Sequence, residues 1–338
     1  MSDFAAQRAE DDFDRARVRQ TLARMQAFLN PGSRELLALD DVREILKPAG
    51  EVYRGMKAVP LSLIVGSEGR YRDFDRTFMP KANHLRPRWV RVDVAHLRDV
   101  VLPPIQLYEV GGAYFVRDGN HRVSVARLKG VEVIDAEVVS LASEVRLRPD
   151  MTLDELRREV VGWEKRNFYD KTRFGELTGD RSLDFTGPGQ YDLVLEHILV
   201  HKYYINQGTS GEISFDEALR SWYGEVYRPI ARICDEARIL ARFPGRTTSD
   251  LYVYIVRHWD SLKRKFGLSY PVEAAVRDYS ERYGRGLGDR FIAFVRAALR
   301  LDRNSPPDGN PGLDAAAGTK EAAGERSGTG AVPPEKNA

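Results

Sequence analysis

The chain has 338 residues, 42% hydrophobic and 30% charged, with 52 Lys and Arg against 50 Asp and Glu for a formal net charge of +2. That length accommodates two domains with real apolar cores, while the near-balanced charge supplies no global basic field of the kind that demands nucleic acid. Cys234 is the only cysteine, which excludes an intramolecular disulfide framework; no apolar run approaches the ~20 residues of a membrane span, and the N-terminus lacks the apolar core of a signal peptide, so a cytoplasmic protein is expected.

Residues 1–50 read as a helical lead-in. Val18, Leu22, Met25 and Leu29 recur at helical spacing over residues 11–29, a stripe that needs a surface to cover, and Asp40-Asp41 open a second short helix through Leu46. Val59 to Val65 reads as a short strand. It is followed by Gly66-Ser-Glu-Gly-Arg-Tyr-Arg-Asp-Phe74, in which Arg70, Arg72 and Arg76 alternate with Asp73 and Asp75. These charges either complete an anion site or form a solvated ion-pair lattice of little energetic value. Leu102 to Val110 is a strand entered from a rigid Pro pair, Gly111-Gly112 supplies a tight hairpin, and Tyr114-Phe115-Val116 returns as its partner.

The most informative stretch comes next, Asp118-Gly119-Asn120-His121-Arg122, between that strand and the helix-like run Val123 to Lys129. A glycine at such a junction lets the backbone turn sharply and approach a ligand. The first amides of the following helix have no partner within it and carry a partial positive charge. Arg122 adds a planar fork of donors suited to phosphate or carboxylate. Together they describe an anion cradle of the kind that holds a nucleotide phosphate. The alternative is an ordinary turn with Asp118 or Asn120 as N-cap, and His121 is equally suited to touching a phosphate, acting as an acid, or capping. Gly130 fits a left-handed C-terminal cap, and Val131 to Val139 reads as another strand.

Beyond it the signals turn helical. Thr152-Leu-Asp-Glu155 is a capping box opening a helix to about Arg166, residues 167–188 are loop-like, and Ser214-Phe-Asp-Glu217 is a second capping box. Pro229 divides or kinks the run that follows, Ser249 caps a helix that Gly267 ends, and two more helices precede Asp302. The tail from Asn304, with only Leu313 and Val332 as large aliphatics, is expected to be disordered. His197 and His201 are spaced to face one metal, but third and fourth ligands are not evident, so packing histidines and no metal are expected. Tyr203, Tyr204, Trp222, Tyr223, Tyr227, Tyr252, Tyr254 and Trp259 have the chemistry to stack bases, yet their helical spacing favours a core or interdomain seam. Cys234, in a helical pattern, is expected as a buried thiol.

In its ordered motifs the region of residues 55–142 resembles the ParB/sulfiredoxin-like superfamily. The matching elements are the Val59–Val65 strand with its trailing Arg70 and Phe74, Leu102-Pro-Pro-Ile105, Tyr114-Phe-Val116, the Gly119-Asn-His-Arg122 box, Val125-Ala-Arg127, Gly130 and Ile134-Asp-Ala-Glu-Val138. The nearest likeness is to uncharacterised bacterial ParB-like proteins with a long helical C-terminal region. The resemblance implies a small, curved mixed sheet whose box loop binds nucleotide phosphates. Sulfiredoxins have a cysteine immediately before the His-Arg pair; here Asn120 stands there, which excludes their thiol chemistry. Partition-type members have a second nucleotide box, which Ser140-Leu-Ala-Ser-Glu-Val-Arg146 does not match, so nucleotide-driven clamping of DNA is not implied. Related free-serine kinases use a carboxylate near the first strand as base, where Glu68 and Asp73 lie.

The expectation is therefore an α+β protein. A helical lead-in (1–50) precedes a curved mixed-sheet ParB/sulfiredoxin-like domain (51–145), a mostly α-helical domain (146–302) and a disordered tail (303–338). The expected ligand is a nucleoside triphosphate or diphosphate, with or without magnesium, held by Arg70, Asp118, Gly119, Asn120, His121 and Arg122. The first functional reading is a nucleotide-binding regulatory module whose helical half engages DNA or protein, with homodimerisation open, DNA not indicated by charge, and no membrane partner. The second is a nucleotide-dependent small-molecule kinase on the same fold, with Glu68, Asp73 or Asp118 as base or magnesium ligand, since phosphoryl transfer depends mainly on positioning and charge neutralisation. A nuclease ranks third, because the carboxylate pairs that hold two metals are not apparent near the box.

Overall fold

Six strands among the described residues form one mixed sheet in the computed structural model, which describes residues 2–26, 35–207, 211–266 and 272–283. They are β1 (Leu37–Ala38), β2 (Glu51–Pro60), β3 (Ile64–Ser67), β4 (Ile105–Val110), β5 (Ala113–Asp118) and β6 (Val133–Leu141), arranged in the order β1-β3-β5-β4-β6-β2. Only β2–β6 and β4–β5 pair antiparallel; the other neighbours run parallel. With its helices this makes the protein α+β, as expected from the sequence. The run from Val59 to Val65 is not one strand, however. Pro60 has no N–H to continue a ladder, so β2 ends there, a single 3-10 turn covers Leu61–Leu63, and β3 joins the opposite side of the sheet. The strand predicted from Leu102 begins only at Ile105, past the Pro pair.

Alternation along the strands builds a core on each face. On one face Ile105, Leu107, Val116 and Val138 meet Val123 and Ala126 of α4 (Asn120–Leu128), together with Phe74 and Phe78. On the other, Tyr108, Val110, Phe115 and Leu141 meet α2 (Leu39–Leu46) and the start of α5 (Leu153–Thr172) through Val42, Ile45, Leu156 and Val160. Two further helices, α1 (Ser2–Gln26) and α3 (Arg86–Leu97), lie outside α4, with Phe13 edge-on to Trp89 at 5.6 Å and Val125 beneath. The lead-in helix thus buries Ala9, Phe13 and Ala16, whereas the predicted stripe of Val18, Leu22 and Met25 stands 58%, 54% and 65% exposed. Both sets obey helical spacing; only the partner surface decides between them. Leu29 lies outside the described residues.

The helical half comprises α5 together with α6 (Phe174–Thr178), α7 (Gln190–Gln207), α8 (Phe215–Trp222), α9 (Arg228–Glu236), α10 (Thr248–Phe266) and α11 (Val272–Tyr283). Both predicted capping boxes form, Thr152 with Glu155 and Ser214 with Glu217. The first helix runs on to Thr172, and α6 follows, so residues 167–188 are only partly loop. Ahead of Pro229 the helix widens into a π-helical turn over Tyr223–Tyr227, where Pro229 has no N–H for the ladder. The cap of α10 is Thr247, whose Oγ1 accepts from Asp250 N at 3.1 Å; Ser249 instead sits buried against Tyr227 Oη at 2.9 Å. Trp222, Tyr227 and Tyr252 form the aromatic core, while Tyr203 and Tyr204 are exposed. His197 Nδ1 bonds Tyr252 Oη and His201 Nε2 bonds Ser221 Oγ, each at 2.9 Å, so both serve packing. Among the described residues no group of three or more His, Cys, Asp or Glu is placed to hold a metal. Cys234 is buried, which pushes its thiol up to about 12. No described helix is long and apolar enough to cross a membrane. Gly267 and the predicted tail lie outside the described residues.

Candidate functional site

β5 delivers the chain into Gly119, which acts as the N-cap of α4 with φ +109° and no side-chain cap bond. Neither Asp118 nor Asn120 caps the helix. The requirement for glycine is local as well as conformational: a Cβ there would lie 2.4 Å from Ile105 Cγ2 on β4. The helical ladder begins with Val123 N donating to Gly119 O at 3.0 Å, which leaves the amides of Asn120, His121 and Arg122 outside it.

A cavity of about 320 Å³ opens at this helix start. The loop 118–122 lines it with Gly69, Arg70, Arg88, Val92 and Arg117. Each wall is fixed by packing. Ser67 Oγ accepts from Arg70 N at 3.3 Å and donates to Val116 O at 3.2 Å, setting the Gly69–Arg70 turn. Arg127 on α4 donates to Leu61 O and Ile64 O at 2.7 Å, tying the start of β3 to the helix. Trp89 Nε1 donates to Ser124 Oγ at 2.8 Å, which holds α3 on α4 and its neighbour Arg88 against the cavity.

Four arginines thus line the cavity with one carboxylate, Asp118, a local positive focus in a chain of near-zero net charge. They are not equivalent. Arg122 is engaged, donating to Asp118 Oδ2 at 2.5 Å and to Pro103 O. Arg70 donates to Asp73 Oδ2 at 3.2 Å, and the Arg117 guanidinium lies 5.6 Å from the Tyr108 ring centre. Arg88 makes no ion pair or hydrogen bond among the described residues.

Of the residues singled out in the sequence, the cavity brings together Arg70, Asp118, Gly119, Asn120, His121 and Arg122. Glu68 and Asp73 do not line it. Glu68 lies 3.9 Å from Arg43, on the α2 side of the sheet, and Asp73 is paired with Arg70. Arg88 and Arg117 were missed. Arg117 adjoins the box and was within reach of the sequence argument, but Arg88 is thirty residues upstream on a helix that only tertiary packing brings here.

His121 is held neutral: burial pushes its imidazole down to about 4, with the charges of Arg88 and Arg70 adding to the effect. Its ring meets Phe74 edge-on at 5.3 Å. A neutral imidazole in the folded state, against an unfolded value near 6.5, has a definite sign. Above pH 6.5 both states are neutral; as pH falls towards 4 only the unfolded chain takes up the proton, so stability is lost through that window. The loss amounts to about 3 kcal/mol, and His121→Phe, which keeps a ring against Phe74, is expected to abolish that part of it. Urea titrations of both proteins at pH 7 and pH 4 check this; parallel losses would mean the imidazole is solvated.

No family of known proteins, no curated protein and no solved structure matches the chain.

Proposed function

We propose that the cavity at the start of α4 binds the phosphate groups of a nucleotide, and that the helical half responds by engaging DNA or protein, as in a ParB-like regulatory module. One observation carries the reading: four arginines line a cavity beside amides left outside a helical ladder, and Arg88 makes no ion pair or hydrogen bond among the described residues. The resemblance of the Gly119–Arg122 box supports the same ligand. Binding is favoured over phosphoryl transfer because, of Glu68, Asp73 and Asp118, only Asp118 lines the cavity, and it is tied to Arg122.

Calorimetric titration with ATP, ADP, CTP and GTP in the presence of magnesium tests the proposal. Arg88→Ala should weaken the best binder roughly ten- to a hundredfold with Tm unchanged, since one charge-assisted contact contributes about 1.5–3 kcal/mol and the side chain makes no ion pair or hydrogen bond among the described residues. Arg122→Ala should weaken binding too, but with a lower Tm, because it also releases Asp118 and Pro103. Undiminished affinity in Arg88→Ala would sink the reading.

A further inference from the structure

Asn120 and His121, both lining the cavity, are only 6% and 4% exposed, yet Asn120 Oδ1 and both ring nitrogens of His121 have no hydrogen-bond partner. Buried polar atoms are almost always paired, and each left unpaired is costly. Two adjacent residues in that condition, at the same cavity, form a deficit that a ligand can fill. Its chemistry is constrained. An amide oxygen only accepts, while a neutral imidazole offers one accepting nitrogen and one N–H. An ionised phosphate oxygen also only accepts, so it satisfies the N–H at most and opposes Asn120 Oδ1 oxygen to oxygen. An ammonium donates, but Arg70, Arg88 and Arg117 line the same space. Among the groups that both donate and accept without charge, the hydroxyl is the one that does so from a single atom and that the sugar of a nucleotide carries.

Resting on the phosphate-binding reading of this cavity, we infer that its ligand carries a free hydroxyl besides its phosphate, as the ribose of a nucleotide does. The arginines take the phosphate. The hydroxyl donates to Asn120 Oδ1 or the accepting ring nitrogen and accepts from the His121 N–H.

The test takes whichever of ADP, CDP, GDP and UDP binds best and compares it with its 2′,3′-dideoxy form and with inorganic pyrophosphate. For the wild type, loss of the hydroxyls should weaken binding about tenfold, the equivalent of one or two hydrogen bonds. The Asn120→Ala/His121→Phe double variant should hold the two nucleotide forms alike, and pyrophosphate should bind it as it binds the wild type. A dideoxy form that binds the wild type as tightly as its parent overturns the inference while leaving phosphate binding intact, and needs no variant to fold. Pyrophosphate weakened in the double variant overturns it as well, by assigning these residues to the phosphate. If neither pyrophosphate nor any nucleotide binds, the phosphate reading fails and takes this inference with it.

Discussion

Lys129→Met is expected to destabilise the protein by about 3–5 kcal/mol, with a fall in Tm on the order of 10 °C. Lys129 ends α4 between two carboxylates, Asp12 of α1 and Asp93 of α3, the second at 3.1 Å from its Nζ. Asp93 is fully buried and Asp12 nearly so. Burial alone would raise Asp12, but hydrogen bonding and charge from Lys129, with help from Arg15, hold it below the usual carboxylate range. Asp93 goes the other way: burial raises it over the pull of Lys129, with Asp12 adding repulsion. Removing the ammonium leaves two like charges facing each other out of water, and breaking a buried pair in this way costs more than the pair ever contributes. Both carboxylates then sit above their unfolded values, so the deficit is full at pH 7 and narrows as acid protonates them. Denaturant titrations of both proteins at pH 7 and 4 measure it. A loss under 1 kcal/mol at pH 7 would show that water reaches these groups and that they do not clamp α1 and α3 to the wall of the cavity.

Gly119→Ala should cost about 2–5 kcal/mol, combining ~1–2 for a side chain in left-handed backbone with ~1–3 for overpacking against Ile105. The short approach to Ile105 Cγ2 makes the two terms separable. Ile105→Ala should cost less in the Gly119→Ala background than in the wild type, because the second truncation relieves the first insertion. Strictly additive losses would show that the backbone yields instead. The glycine is thus needed for the turn itself, before any ligand arrives.

The sheet half was legible where local chemistry decides the outcome. The apolar runs ending at Val110 and starting near Tyr114 marked β4 and β5 as hairpin partners, Gly111-Gly112 made the turn between them, and Thr152 and Ser214 announced their helices. Errors fell where a competing partner decides. Thr247 and Ser249 are both capable caps, and Tyr227 claims the serine. Phe13 and Val18 lie on different faces of one helix, and Trp89 selects the first. In the site, Arg122 reads from the sequence as a fork open to phosphate, but Asp118 at the end of β5 lies across the turn and occupies it. Nothing local marked Arg88, since its place depends on Trp89 finding Ser124 across two helices.

Helix α5 contributes Leu156, Val160 and Trp163 to the core beneath the sheet and Val161 and Phe168 to the core of the helical half. One rod is therefore mortised into both structures. Its last turns cannot loosen without dragging on the first, so heat or denaturant should dismantle sheet and bundle in a single cooperative step. Nor can the chain be divided cleanly between them: a cut before Thr152 robs the sheet of its covering, and a cut after Thr172 leaves the bundle without its first strut.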